Sequence, residues 1–364
     1  MPAGGGETDG ILDAGGQGDR IGPGNTIGWN GIGLQLDGTD DVQVDGNRIG
    51  TDVSGLDALP NGIGVDIIGS ARTGLGFAGE PDTISGNRLD VRDGGKITKI
   101  EAELIGPTSL GNTELKPYPG GLPAASDNLF KGVPSGGLWV EDKAEHTLIG
   151  GDGTGEGVVI GGIDGTGLLA DSHTLMVKDH IGVGRDGKSA LAITGDGIVF
   201  KDAPESGITD SIVAHDGKAG IVVDGRDGVA IVDTPIFDNH QGGIRIPEPS
   251  ATVPPPKLIS AVNNGSGTDI STHVKIPHGE FGRIQFWATA TCEAGGAGRK
   301  LLDTSHDISA GLHHDLKAFS ADTEAVGTAI TATLTVGRRA ATGAPIGRTS
   351  TFSDCVPVEP AKKK

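Results

Sequence analysis

Apolar residues fall in short runs along most of this chain, and each run is closed by Gly, Asp or Asn. Ile198-Val199-Phe200-Lys201-Asp202 is answered 23 positions later by Ile221-Val222-Val223-Asp224-Gly225, and 23 further on by Ile244-Arg245-Ile246. Gly197, Gly220 and Gly243 stand immediately before these runs, and Leu175-Met176-Val177-Lys178-Asp179 fits the same step backwards. Short β-branched runs predict strands, and the turn formers between them predict tight corners. A fixed period of this size marks a solenoid, whose unit cannot bury its own apolar face and must stack on the next. Three short strands per period make one coil of a right-handed parallel β-helix, with Ile198, Ile221 and Ile244 as an internal column. Residues 11–248 would then supply about ten coils and a rod of roughly 50 Å.

Other echoes extend the pattern. Arg48-Ile49-Gly50 continues as TDVSGLDAL, and His180-Ile181-Gly182 continues as VGRDGKSAL, with Gly, Ala and Leu at equivalent offsets. GIGLQL at 31–36 matches GIGVDI at 62–67. The Pro-rich stretch within 104–137 breaks the period and reads as an excursion. Beyond a Pro-rich linker at 249–257 glycine thins out, and runs such as ITATLTV at 330–336 alternate apolar and polar, as a half-buried antiparallel strand does. The expected order is a flexible lead at 1–10, the β-helix, the linker, a small antiparallel β-sandwich at 258–358 and a basic tail at 359–364. The class is all-β.

Particular residues carry a resemblance. Gly46-Asn47-Arg48-Ile49-Gly50-Thr51-Asp52, then Gly55, Ala58, Leu59 and Asn61-Gly62, resemble the coil pattern G-N-x-I-G-T-D-x-x-G-x-x-A-L-x-N-G of bacterial secreted right-handed β-helix repeat proteins. Pro256 to Ala261 (PKLISA), Phe286 to Cys292, Thr331 to Thr335 and Thr349 to Cys355 resemble the Ig-like sandwich that often follows the rod in that family. The resemblance implies a pectate-lyase-like solenoid with a C-terminal sandwich, and export from the cell. It implies no reaction, because the shared motifs are those of architecture.

Composition narrows the partners. Gly makes up 65 of 364 residues without recurring every third position, which excludes collagen. The net charge of −19 repels phosphate backbones and argues against nucleic acid. No apolar run approaches the ~20 residues of a membrane span. The two cysteines, Cys292 and Cys355, both lie in the last quarter, which suggests one disulfide and an oxidising compartment. MPAGGGETDG lacks the basic and apolar regions of a signal peptide, so an extracellular or cell-surface location would need a segment absent from this sequence or another route.

Candidate chemistry follows from stacking. A 23-residue step places His215 over Asp238, with His240 alongside, as the best acid–base set. The same step places Asp216 over Asn239 and Lys178, Lys201 and Asp224 in one column. That column and Tyr118 are the candidate carbohydrate contacts, with the lysines able to face an acidic sugar. GGDGTGEGV at 150–158 falls short of the calcium nonapeptide because Gly155 occupies the key Asp position. Ca²⁺ is the only cation the acidic surface suggests, and no cofactor or metal-ligand set is expected. His306, His313 and His314 read as surface positions, and Asp40-Asp41 as a turn. Trp287 reads as sandwich core. The set N-T-D, D-D, G-H-G and R-I-K of β-helical glycosidases is not present in order.

The expected function is an extracellular or surface-displayed structural and adhesive module, without identifiable catalysis, that contacts polysaccharide or cell-surface components. The alternatives are a polysaccharide lyase or glycoside hydrolase working in a groove along the rod, and a self-associating virion or filament subunit.

Overall fold

The computed structural model describes residues 9–77, 79–116, 132–225, 228–247, 253–292, 295–339 and 345–361. Among these the regular elements are all strands. The first part of the chain forms three parallel sheets that it visits in rotation. Sheet one runs from Asp9–Ala14 to Ile244–Arg245 and has nine strands. Sheet two runs from Arg20–Ile21 to Ala230–Val232, and sheet three from Thr26–Ile27 to Ile236–Phe237, with eight strands each. This is the parallel β-helix expected from the period. Ile198 pairs with Ile221, and Ile221 with Ile244. Nine rungs span about 40 Å at the usual strand spacing; the expected ten coils were too many because side loops consume residues.

Each sheet turns apolar columns inward. Leu34, Val65, Val91, Leu138, Leu168, Ile198, Ile221 and Ile244 stack from sheet one, and Ile27, Ile49, Ile84, Ile105, Ile160, Ile181, Val213 and Ile236 from sheet three, all in one buried cluster. Each fully buried Ile or Leu contributes roughly 1.5–3 kcal/mol. The glycine column at the start of the sheet-one strands has a steric cause. A Cβ on Gly64 would lie 2.5 Å from the Asp90 carbonyl oxygen, and one on Gly197 would lie 2.7 Å from that of Gly220. The coils pass so closely there that glycine fills the column everywhere but at Asp90.

Polar side chains stack at the other corners. Asn30 N donates to Asn61 Oδ1 at 2.9 Å, and Asn61 Nδ2 to Asn87 Oδ1 at 2.9 Å. Asn87 Nδ2 donates to Asp90 Oδ1 at 3.0 Å, which ends the ladder. A second ladder runs Asn25, Asn47, Asp82. These amides occupy backbone donors and carbonyls that the sharp corners leave unpaired.

Three ten-residue loops leave the rod, after Ile49, Ile105 and Ile181. Each closes with an antiparallel bridge: Thr51 with Ala58, Pro107 with Glu114 and Val183 with Ala190. Each turns at a glycine in the left-handed region, Gly55 (φ 72°), Gly111 (φ 73°) and Gly187 (φ 66°). The loops follow the second, fourth and sixth strands of sheet three, hence alternate coils. They also touch: Ser109 N donates to Gly55 O at 3.0 Å, and Arg185 N to Gly111 O at 3.0 Å. PTSLGNTEL is therefore a third copy of the looped motif. The ends of the expected excursion, Leu104–Ile105 and Gly136–Val140, are rungs; its residues 117–131 lie outside the described residues.

The C-terminal part is a single curled eight-stranded sheet rather than two separate layers. Strands Lys257–Asn263, Thr268–Ile276, Phe281–Thr289, Lys300–Ile308, Gly311–Ser320, Ala329–Arg339 and Pro345–Thr349 pair antiparallel. Val356–Pro360 runs parallel to the first of these, which makes the sheet mixed. Its own core holds Leu258, Ile270, Ile284, Phe286, Ile330 and Leu334. Trp287 is corrected from the expectation. As Phe286's neighbour it points to the opposite face, and with Phe352 it joins the core of the rod. Backbone pairing seals the joint: Ile236 N to Gly298 O at 2.8 Å, Gly298 N to Ile236 O at 2.7 Å and Gly243 N to Gly296 O at 2.8 Å. The curled sheet thus plugs the C-terminal end of the solenoid. Cys292 and Cys355 are joined, with Cα atoms 5.9 Å apart.

Trp287→Ala is expected to cost about 3–5 kcal/mol and to expose backbone amides of the last coils to hydrogen exchange, whereas a Trp confined to the sheet's own core would leave those coils protected. Replacing both cysteines by Ser is expected to cost about 4 kcal/mol through the unfolded chain, read as a lower urea midpoint than that of the oxidised protein.

Candidate functional site

His215 and Asp238 follow the seventh and eighth strands of sheet three, in turns where both take left-handed backbone (φ 64° and 54°). His and Asp tolerate that region better than most residues. The stacking brings them together as expected: His215 Nδ1 lies 4.0 Å from Asp238 Oδ2. Asp238 also accepts from the Arg299 guanidinium of the curled sheet. That guanidinium lies 3.9 Å from the centre of the Phe237 ring, and His215 packs edge-on against the same ring. His240 is exposed in the next turn, its backbone N–H donating to Asp216 O. The acid–base set therefore stands at the junction of the two parts of the chain. A second tie lies nearby, where Arg283 Nη2 holds both Asp233 oxygens at 2.7 and 2.6 Å and Gln285 Nε2 donates to Asp233 at 2.7 Å.

The candidate carbohydrate contacts do not form one column. Lys201 pairs with Asp224 in sheet one. Lys178 follows Thr174–Val177 of sheet two, whose Leu175 pairs with Gly207 and not with Ile198. The loop after Ile181 lengthens that coil, so the 23-residue step lands in another sheet. Tyr118 lies outside the described residues. Lys178 instead borders a hollow of about 370 Å³ with Asp152, Gly155, His180 and Arg185. Its ammonium donates to the Asp152 carbonyl oxygen. Burial holds the His180 imidazole below its ordinary pKa. Lys178 and Arg185 set two cations on its wall against the single carboxylate of Asp152, and Arg185 enters from the loop after Ile181, a residue that the period alone does not single out.

A second hollow, about 450 Å³, is lined by Arg88, Asp90, Lys116, Ser135 and Asp164. Asp90 stands where neighbouring coils carry Gly64 and Gly137. That departure in the glycine column is the sequence signal that was missed. Burial pushes its carboxyl up to about 8, against the opposing effect of the Asn87 hydrogen bonds. Burial likewise raises Asp179 to about 8 and Asp82 to about 6. Glu103 and Asp216 are raised well above the usual carboxylate range, first by burial and then by Asp82 and Asp196 respectively.

Among the described residues no group of three or more His, Cys, Asp or Glu side chains is placed to hold a metal ion. None of the described residues belongs to a helix long and apolar enough to cross a membrane. The disulfide hints at a non-cytoplasmic environment. No family model and no curated protein matches the chain.

The buried acids give stability a definite sign with pH. Their ordinary value is 3.8, so the folded chain holds protons that the unfolded chain releases, and stability falls as pH rises from about 4 through about 8. Urea midpoints are expected to drop by a few kcal/mol equivalent between pH 5.5 and 8.5. Asp90→Asn with Asp179→Asn should flatten that slope; an unchanged slope would show that these carboxyls titrate normally.

Proposed function

We propose that the chain is an extracellular or surface-displayed structural and adhesive rod that contacts acidic polysaccharide and does no chemistry on it. The observation that carries this reading is the use made of Asp238. Its carboxylate is engaged by Arg299, while His215 and that guanidinium share the Phe237 ring, so the best acid–base pair joins two parts of one molecule. The Lys178–Arg185 hollow supplies the contact, since its cations suit a carboxylated or sulfated sugar. This keeps the broad reading suggested by the likeness to secreted β-helix proteins.

The alternative of a lyase or hydrolase gains one observation, the proton-bearing Asp90 beside Arg88 and Asp164 in the larger hollow. The filament reading is weakened because head-to-tail growth needs both ends of the rod, and Trp287 and Phe352 occupy one.

Binding to polygalacturonate and to a neutral glucan separates these readings. The expected outcome is salt-sensitive binding of the uronate polymer alone, weakened about tenfold by Lys178→Ala with Arg185→Ala, with no new reducing ends or unsaturated uronate. Turnover abolished by Asp90→Asn or His215→Ala would replace the adhesive reading with the enzymatic one.

A further inference from the structure

His146 and His173 lie on adjacent coils of sheet two, away from both hollows. His146 opens the strand His146–Gly150, and His173 immediately precedes Thr174–Val177. Thr147 pairs with Thr174, and Thr147 N donates to His173 O at 3.2 Å, so the backbone fixes the two rings one above the other. Their Nδ1 atoms are 3.1 Å apart and their planes cross at 82°. The same register carries one coil further, from Leu175 to Gly207, which sets Glu205 next in the column.

Two facing Nδ1 atoms need something between them. A single ring proton between them makes an N–H···N hydrogen bond, and without it both lone pairs are open to one metal ion. Two metal–nitrogen bonds of about 2.0–2.1 Å, at angles between square and tetrahedral, hold their nitrogens roughly 2.9–3.4 Å apart. The observed separation of 3.1 Å falls inside that interval.

We propose that His146 and His173 form a two-histidine site for a late first-row divalent cation such as Zn²⁺ or Cu²⁺, bound through both Nδ1 atoms. Binding needs both Nδ1 atoms free, so the proton that sits between them passes to solvent while solvent supplies one to the Nε2 of the ring that carried it, leaving two neutral imidazoles and no net release. Two protein ligands leave the remaining positions to water, so the ion is exchangeable. Glu205 adds negative charge one coil away. The site is independent of the adhesive reading, because neither hollow contributes to it.

The experiment is calorimetric titration of the untagged, full-length chain with ZnCl₂, paired with electron paramagnetic resonance at one equivalent of Cu²⁺. The expected result is one equivalent bound and a two-nitrogen Cu²⁺ signal. His146→Ala and His173→Ala should each lower affinity by at least about tenfold, and a His306→Ala, His313→Ala, His314→Ala variant should leave it unchanged. His146 is exposed, so its replacement tests the site even if His173→Ala misfolds; the metal-free melting temperature of each variant reports folding. Undiminished affinity in His146→Ala, or loss of binding in the triple variant, would overturn the proposal.

Discussion

Hydrogen bonding between successive coils, at one strand spacing and in a fixed register, is the constraint from which the rest of this molecule follows. Because each rung lies flat on the last, every side chain has an equivalent above and below it. Apolar columns such as Ile198, Ile221 and Ile244 then build a continuous core from units that bury nothing alone. The same closeness favours glycine along the Gly64–Gly197 column, which Asp90 alone interrupts, and brings the corner amides of Asn30, Asn61 and Asn87 into a ladder. An end of such a stack would expose its column to water. At the C-terminal end the chain meets this with Trp287 and Phe352, borrowed from a sheet that has a core of its own.

Stacking like on like is unfavourable for charge, and the chain shows how it is managed. Where a ladder reaches a carboxylate, as at Asp90 or Asp82, the neighbour is an amide that donates to it, and burial raises the pKa of the acid. Where carboxylates come near the surface, arginines from another part of the chain meet them. Asp233 and Asp238, on successive turns, are both held by the curled sheet, through Arg283 and Arg299. Exposed pairs of this kind contribute little each; their value here is in orienting one part of the chain on the other beside a backbone seal.

The core was legible in the sequence because it depends on apolar identity at a fixed step, and the step holds without insertions from Ile198 to Ile244. It failed at Lys178, where the loop after Ile181 adds residues to one coil and carries the same count into another sheet. The loop after Ile105 is hard to see in the sequence because Pro107, Thr108 and Ser109 share no side-chain chemistry with Thr51 or Val183; only Gly106, Gly111 and Leu115 keep their offsets. Trp287 was assigned to the wrong core since alternation along a strand tells which residues share a face, and not what each face meets. Asp90 was hidden among many turn aspartates, although it alone interrupts the glycine column. His146 and His173 are 27 residues apart, outside the dominant period, so no fixed step paired them.

From the second to the sixth coil, loops on alternate coils give the rod a structural cell of two rungs rather than one. Removing the plain rung between two of these loops, or duplicating a looped one, would bring loops onto neighbouring coils, with no plain turn between them and the Gly55–Ser109 type of contact out of step. Growth by duplication would therefore preserve the surface only in double steps. That makes the pair of coils, and not the 23-residue period visible near the C-terminal end, the natural module for grafting or extending this scaffold.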